Sequence, residues 1–263
     1  EGGRVLVALP GVPGEMKAFI EALVLPRLAD RLEGRTVLHR TLLTAGVPES
    51  TLVERLQDVD RHTGEGVDLA FLPNMGRVRL RITGRSADGR TKLERRIEAV
   101  ADYLYRELGD DIYGEGDDTL EEVVGEMMRA AGMRIAAAES CTGGAVANRL
   151  TDVPGASDYV RGGIVAYSNE VKIDYLGVQP EVLEEEGAVS PEVARQMALG
   201  IRERMDVDLA FSTTGIAGPT GGTPDKPVGT VWIGMADREG AETRRLHLTD
   251  QRLVNKERTV VAI

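Results

Sequence analysis

From Gly132 to the end of the chain, short apolar runs alternate with helical stretches, and two of the strand-ending loops are crowded with glycines and hydroxyls. Met133–Ala138, Gly163–Tyr167, Leu209–Ser212 and Thr230–Ala236 read as strands. Ala145–Leu150, residues 170–176 and 180–186, and Pro191–Met205 read as helices; the last has Ser190 as N-cap and Pro191 in its first turn. Strands this apolar need helices to cover them, so the pattern leaves few folds besides a layered α/β domain. The helix leading into it has clear ends. Thr119 with Glu122 three residues on forms a capping-box pattern, Leu120, Val123, Val124, Met127, Met128 and Ala131 make the apolar stripe, and Gly132 suits the residue after the last turn.

The upstream half reads differently. Residues 34–108 suggest a small α+β module. Its strands are Thr36–Leu43, Val67–Leu72 and Arg77–Thr83, and its helices are Glu49–Gln57 and Lys92–Leu108. Alternation in the third strand puts Arg77, Arg79 and Arg81 on one face, which is read as a solvated surface before a basic binding patch. Gly109–Asp118, glycine-rich and acidic, is the linker candidate. Residues 1–33 read as strand (Val5–Leu9), turn and helix, too little to bury their own apolar faces. Three segments follow: 1–33, a module over 34–114, and a domain over 115–263.

Charge and cysteine count exclude several function classes. A net charge of −11 argues against nucleic acid as the main partner, because phosphate neutralisation needs a basic balance. One cysteine, Cys141, and three scattered histidines rule out a disulfide framework and give no metal-ligand spacing, so no cofactor or metal is expected. No apolar run spans a bilayer and no N-terminal signal is visible; a cytoplasmic location is the expectation. Lysine is scarce, with Lys17, Lys92, Lys172, Lys226 and Lys256 the full set, so a lysine near a nucleophile is conspicuous.

Three loops carry the candidate chemistry. Ala138-Glu139-Ser140-Cys141-Thr142-Gly143-Gly144 follows a strand and opens a helix, a place where N–H groups can meet an anion and a serine can act as nucleophile; it equally reads as a plain N-capping loop. Ser212 to Gly222 carries three hydroxyls within Ser212-Thr213-Thr214 and glycines at 215, 218, 221 and 222. No Gly-Lys-Ser/Thr follows, so this is not a nucleoside triphosphate loop. Tyr167-Ser168-Asn169-Glu170-Val171-Lys172 closes a third strand. A serine needs a base, which Lys172 can be if its pKa is lowered; His247 is the alternative, in a strand setting. Cys141 stands as a rival nucleophile at a helix start.

The runs Ala138–Gly144, Tyr167–Glu170 and Thr214-Gly215-Ile216-Ala217-Gly218-Pro219, followed by Lys226-Pro227-Val228-Gly229-Thr230-Val231, resemble the C-terminal domain of the CinA family in order and spacing. Leu9–Met16 resembles the end of that family's molybdopterin-binding-like domain, and residues 34–108 its KH-like module, here without a Gly-x-x-Gly loop. The resemblance implies an amidohydrolase fold and nicotinamide mononucleotide deamidase activity, with a small nucleotide as substrate and a homodimer as assembly. It implies Ser140 as nucleophile with Tyr167 and Lys172 assisting proton transfer. N–H groups near Cys141 to Gly144 would stabilise the oxyanion, with Thr142, Gly143 and Gly144 against the substrate. Thr214, Gly215 and Gly218 would hold ribose or phosphate, and Arg252 and Arg258 lie where basic residues would meet a phosphate. ADP-ribose pyrophosphatase activity belongs to the family's first domain. A non-catalytic nucleotide-binding or regulatory module is the competing reading.

Overall fold

The computed structural model describes residues 5–29, 36–86 and 89–263. The expected boundary at 33/34 lies outside the described residues. The chain divides into two compact units, one of residues 1–40, 58–69 and 82–103, the other of 41–57, 70–81 and 104–263.

The N-terminal segment has helices α1 (Pro13–Phe19) and α2 (Leu25–Ala29) joined by a π-helical stretch, Ile20–Val24. Val5–Leu9, expected as a strand, forms none. A strand is held by ladder bonds to a neighbour, and no described strand pairs with these residues.

Next come β1 (Thr36–Ala45), α3 (Glu49–Arg55), α4 (Asp60–Thr63), β2 (Val67–Asn74), β3 (Arg77–Ser86), α5 (Arg90–Leu108) and β4 (Ile112–Glu115). The strands make one sheet in the order β2-β3-β1-β4. Along β3, Val78, Leu80 and Ile82 are buried while Arg79 and Arg81 are exposed, the alternation expected of a sheet with one wet face. Helix α5 lies close over Gly84, where a Cβ would sit 2.7 Å from Leu93 Cδ1.

Gly109–Asp118, the linker candidate, is itself built into the fold. It contains β4, which pairs antiparallel with β1 (Leu42 opposite Glu115, Leu43 opposite Gly114). The Asp118 carboxylate then accepts the Glu115 N–H at 2.9 Å and folds the acidic end into a turn. Gly109 and Gly116, at φ +53° and +63°, serve tight reversals there.

The C-terminal domain comprises α6 (Leu120–Ala131), β5 (Ile135–Glu139), α7 (Ala145–Thr151), β6 (Val160–Val165), α8 (Asn169–Leu176), α9 (Pro180–Glu185), α10 (Pro191–Met205), β7 (Leu209–Gly215), β8 (Thr230–Ala236), β9 (Ala241–His247) and α11 (Arg252–Ala262). Its sheet runs β6-β5-β7-β8-β9. Strands β6, β5 and β7 are parallel; β8 and β9 return antiparallel. The reciprocal capping box of Thr119 and Glu122 starts α6, and Gly132 ends it in the left-handed conformation. Strand β5 is buried along its whole length, and its alanines let helices approach both faces. Ala136 and Ala138 meet Val193, Met197 and Ile201 of α10 on one side. Ile135 and Ala137 meet Val146, Leu150 and Val260 on the other.

Helix α10 also crosses the C-terminal end of α8 at Gly200, where a Cβ would stand 1.8 Å from the Leu176 carbonyl oxygen. Gly200→Ala gains about 1 kcal/mol of helix propensity. It must then push α8 aside, an overpacking cost of about 3 kcal/mol. The expected net loss is about 2 kcal/mol by urea denaturation; an unchanged midpoint would refute the close α8–α10 crossing.

Candidate active site

Three parallel strands bring three loops to one edge of the sheet. Glu139 at the end of β5 lies opposite Val165 of β6 and Thr213 of β7. Ser140 and Ala166–Tyr167, which follow β5 and β6, and Thr214–Gly215, the last residues of β7, therefore lie side by side at that edge, where ligands bind in layered α/β folds. Ser140, Tyr167, Thr214 and Gly215 line a cavity of about 220 Å³ together with Cys141, Asn169, Lys172, Ala188, Val189, Ala217 and Arg252.

Ser140 sits at the base, 9% exposed. Its N–H donates to the Thr213 carbonyl at 2.9 Å, extending the β5–β7 ladder by one residue, and its carbonyl accepts the Gly143 N–H at 3.1 Å to close a tight turn. The start of α7 is not open to a ligand. The buried Glu139 carboxylate accepts the N–H groups of Gly144 (2.9 Å), Val146 (3.1 Å) and Ala147 (2.8 Å). This corrects the expectation that N–H groups through Gly144 face the substrate: those of Gly143 and Gly144 are already taken. The N–H groups of Cys141 and Thr142 donate to no oxygen among the described residues.

Lys172 lies in α8, which is capped by Ser168. The side chain is 1% exposed, and its Nζ donates to the Ala166 carbonyl at 2.9 Å, with the carbonyls of Tyr167 and Ser168 at 3.5 Å. Burial holds its amine below the ordinary lysine value of 10.5, opposed first by charge coupling to Cys141 and then by the negative charge of Glu170. Cys141 is also buried, and burial pushes its thiol up to about 11 against a hydrogen bond from Thr213. A thiol in that state is inert at neutral pH.

Tyr167 is 60% exposed at the rim, and its hydroxyl accepts from Arg252 at 2.8 Å. Arg252 also donates to the Gly218 carbonyl at 3.1 Å. Thr214 Oγ1 donates to the Ala188 carbonyl and so holds the cavity wall formed by Ala188 and Val189. Thr142 is wholly buried beneath the loop, its hydroxyl 2.7 Å from that of Thr213. Thr142, Gly143, Gly144 and Gly218 are not among the residues lining the cavity, nor is Arg258. His247 is exposed near the end of β9 and does not line it either.

Sequence reasoning missed three residues that shape the site. Asn169 lines the cavity and was visible in the quoted Tyr167–Glu170 run. Glu139 was masked by its neighbour Ser140. Asn255, fully buried in α11, donates to the carbonyls of Ala217 (3.0 Å) and Thr249 (2.7 Å) and accepts from the Thr249 N–H and hydroxyl, so its amide is fully used in tying two loops together. A polar residue on the apolar stripe of the last helix was its only signal. Among the described residues no group of His, Cys, Asp or Glu is arranged to hold a metal ion. No helix among them is long and apolar enough to cross a membrane.

Comparison with known proteins agrees along the chain. Residues 117–263 match the CinA C-terminal domain, and residues 39–114 match the damage-inducible protein CinA KH domain. A CinA-like protein of Salinibacter ruber is 50% identical over 97% of this chain, and one of Chloroherpeton thalassium is 44% identical, also over 97%. The chain spans 61% of the length of each of these curated relatives. The crystal structure of competence/damage inducible protein CihA from Agrobacterium tumefaciens is 39% identical, with a TM-score of 0.53, covering 54% of this chain and 87% of that one. On the strength of its matched C-terminal domain, which takes in every residue lining the cavity, the chain belongs to the CinA family.

Proposed function

We propose that this chain hydrolyses the carboxamide of nicotinamide mononucleotide, giving nicotinate mononucleotide and ammonia. The observation that carries the reading is the lining of the cavity. In a chain of net charge −11, it brings a buried serine and a buried lysine together with Tyr167 and Arg252, and no carboxylate lines it. That is a site for an anionic substrate attacked by an activated hydroxyl.

The chemistry follows from the groups present. Ser140 Oγ adds to the carboxamide carbon while its proton passes to the neutral amine of Lys172. The oxyanion that forms is met by the N–H group of Cys141, which lines the cavity. As the C–N bond breaks, the Lys172 ammonium returns the proton to the leaving nitrogen, which departs as ammonia. Water then adds to the Ser140 ester, its proton again taken by Lys172 and passed to the serine oxygen as the carboxylate leaves. Tyr167, whose hydroxyl accepts from Arg252 at the rim, assists proton transfer in this reading. Burial of the Cys141 thiol, pushed up to about 11, disfavours the rival nucleophile.

The test is direct. The purified chain incubated with nicotinamide mononucleotide is expected to release ammonia and the carboxylate product one for one. A folded chain that binds the mononucleotide and releases no ammonia would refute hydrolysis and leave a binding module.

A further inference from the structure

We infer that a second cavity, along the outer edge of the five-stranded sheet, binds an organic polyphosphate of the size of a nucleoside diphosphate. It shares no lining residue with the cavity around Ser140 and stands apart from the deamidase reading.

All its lining residues belong to the larger of the two compact units. Strand β9 is the last in the sheet order, and Arg244–Leu248 form one wall. The tip of the β2–β3 hairpin forms another. Gly76 lets that tip come close to α11: it takes a φ of +84°, and a Cβ there would stand 3.3 Å from Val261 Cγ1. Its carbonyl accepts the Gly46 N–H at 3.1 Å, which ties the turn after β1 to the hairpin. The space enclosed is about 610 Å³, against about 220 Å³ around Ser140. Small-molecule sites span roughly 300–1,000 Å³.

The charge of this lining runs against that of the chain. Arg77, Arg244, Arg245, Arg258 and His247 face a single carboxylate, Glu49, in a chain of net charge −11. Arg244 donates to the Ala262 carbonyl at 2.7 Å. Arg77, Arg245 and Arg258 form no ion pair with a carboxylate among the described residues. Other arginines of the same unit do: Arg149 meets Glu257 at 2.6 Å and Arg195 meets Glu192 at 2.6 Å. A concave wall of one sign concentrates its field on whatever enters, and here it draws anions.

The strand edge adds main-chain donors. The Leu248 N–H donates to the Gly229 carbonyl. Ladder bonds alternate along an antiparallel pair, so Leu246 and Arg244 bond to β8 in turn, and the N–H groups of Arg245 and His247 point out from the sheet. Three guanidinium groups without a counter-charge, beside two outward N–H groups, match a ligand with more than one phosphate group. Pro48, Met75 and Val261 give the same lining an apolar stretch for the organic part.

Calorimetry with ADP as the probe tests the site. The native chain is expected to bind ADP and to bind adenosine, which lacks the phosphates, at least about 10-fold more weakly. Arg77→Gln and Arg245→Gln, on two different strands, each remove one charge-assisted contact and should weaken ADP about 10- to 100-fold. Arg245→Lys keeps the charge and should lose less than Arg245→Gln. Arg252→Gln, in the cavity around Ser140, should leave the ADP affinity within about 2-fold, whether or not the chain releases ammonia from any substrate. No binding of ADP, equal binding of ADP and adenosine, or unchanged ADP affinity in both glutamine chains would overturn the site. A loss in Arg252→Gln as large as in Arg245→Gln would place ADP around Ser140 and overturn it as well.

Discussion

A Ser140→Ala chain is expected to release ammonia from nicotinamide mononucleotide at least about 10⁴-fold more slowly than the native chain, because removal of the nucleophile leaves only binding and oxyanion contacts. The fold should survive. The Ser140 contacts that hold the β5–β7 edge are backbone bonds, its N–H to Thr213 and its carbonyl to Gly143, which alanine retains. Binding of the mononucleotide, measured by calorimetry, should change by less than about 3-fold. Cys141→Ala is the necessary companion. It removes a buried thiol and a contact with Thr213, so about 1 kcal/mol of stability is at stake, while turnover should stay within a few-fold. A thiol held near 11 has almost no thiolate at neutral pH, and the thiolate is the reactive form. Loss of turnover in Cys141→Ala together with its retention in Ser140→Ala would reverse the assignment.

The C-terminal domain was legible because its signals are local. The Thr119–Glu122 box, the Ser190-Pro191 start and the left-handed Gly132 each act within one helical turn, and the structure shows all three. The convergence of Ser140, Tyr167 and Thr214 was legible at one remove, since parallel strands deliver the loops after them to the same edge. What could not be read depends on which atoms satisfy which. The Glu139 carboxylate occupies the helix start that the glycines appeared to offer a ligand, because a buried charge is tolerable only where several N–H groups meet it. Thr142 looked like a substrate contact, yet its hydroxyl is 2.7 Å from that of Thr213 beneath the loop. Strand β4 hid inside Gly109–Asp118 because four residues are too few to show alternation; only its pairing with β1 defines it. Asn255 was invisible for a similar reason, since one of the two loops it ties, at Ala217, lies far from it in sequence.

Lys172→Met is expected to lower kcat about 10³-fold, in the middle of the range for removing a general acid–base, and to alter the pH profile in a way that no structural fault would. The amine is the base only when neutral. In the native chain, activity should therefore rise with pH along a limb whose midpoint lies below 10.5, since burial depresses the pKa. The methionine chain should lose that limb and keep a low, flat rate. Lys172→Arg should be as slow as methionine, because a guanidinium keeps its proton throughout. Stability supplies an independent sign. The folded-state pKa is lower than that of the unfolded chain, so between the two values the unfolded chain binds more protons, and native stability should rise with pH across that window. Below the folded value both states are protonated and the cost of the buried cation is felt in full. Lys172→Met removes the cation while filling nearly the same volume, so its unfolding midpoint at neutral pH should not fall and its pH dependence across that window should vanish. A methionine chain that is inactive because it is unfolded would fail this second measurement; one that is inactive, folded and flat in pH would place the working proton on Lys172.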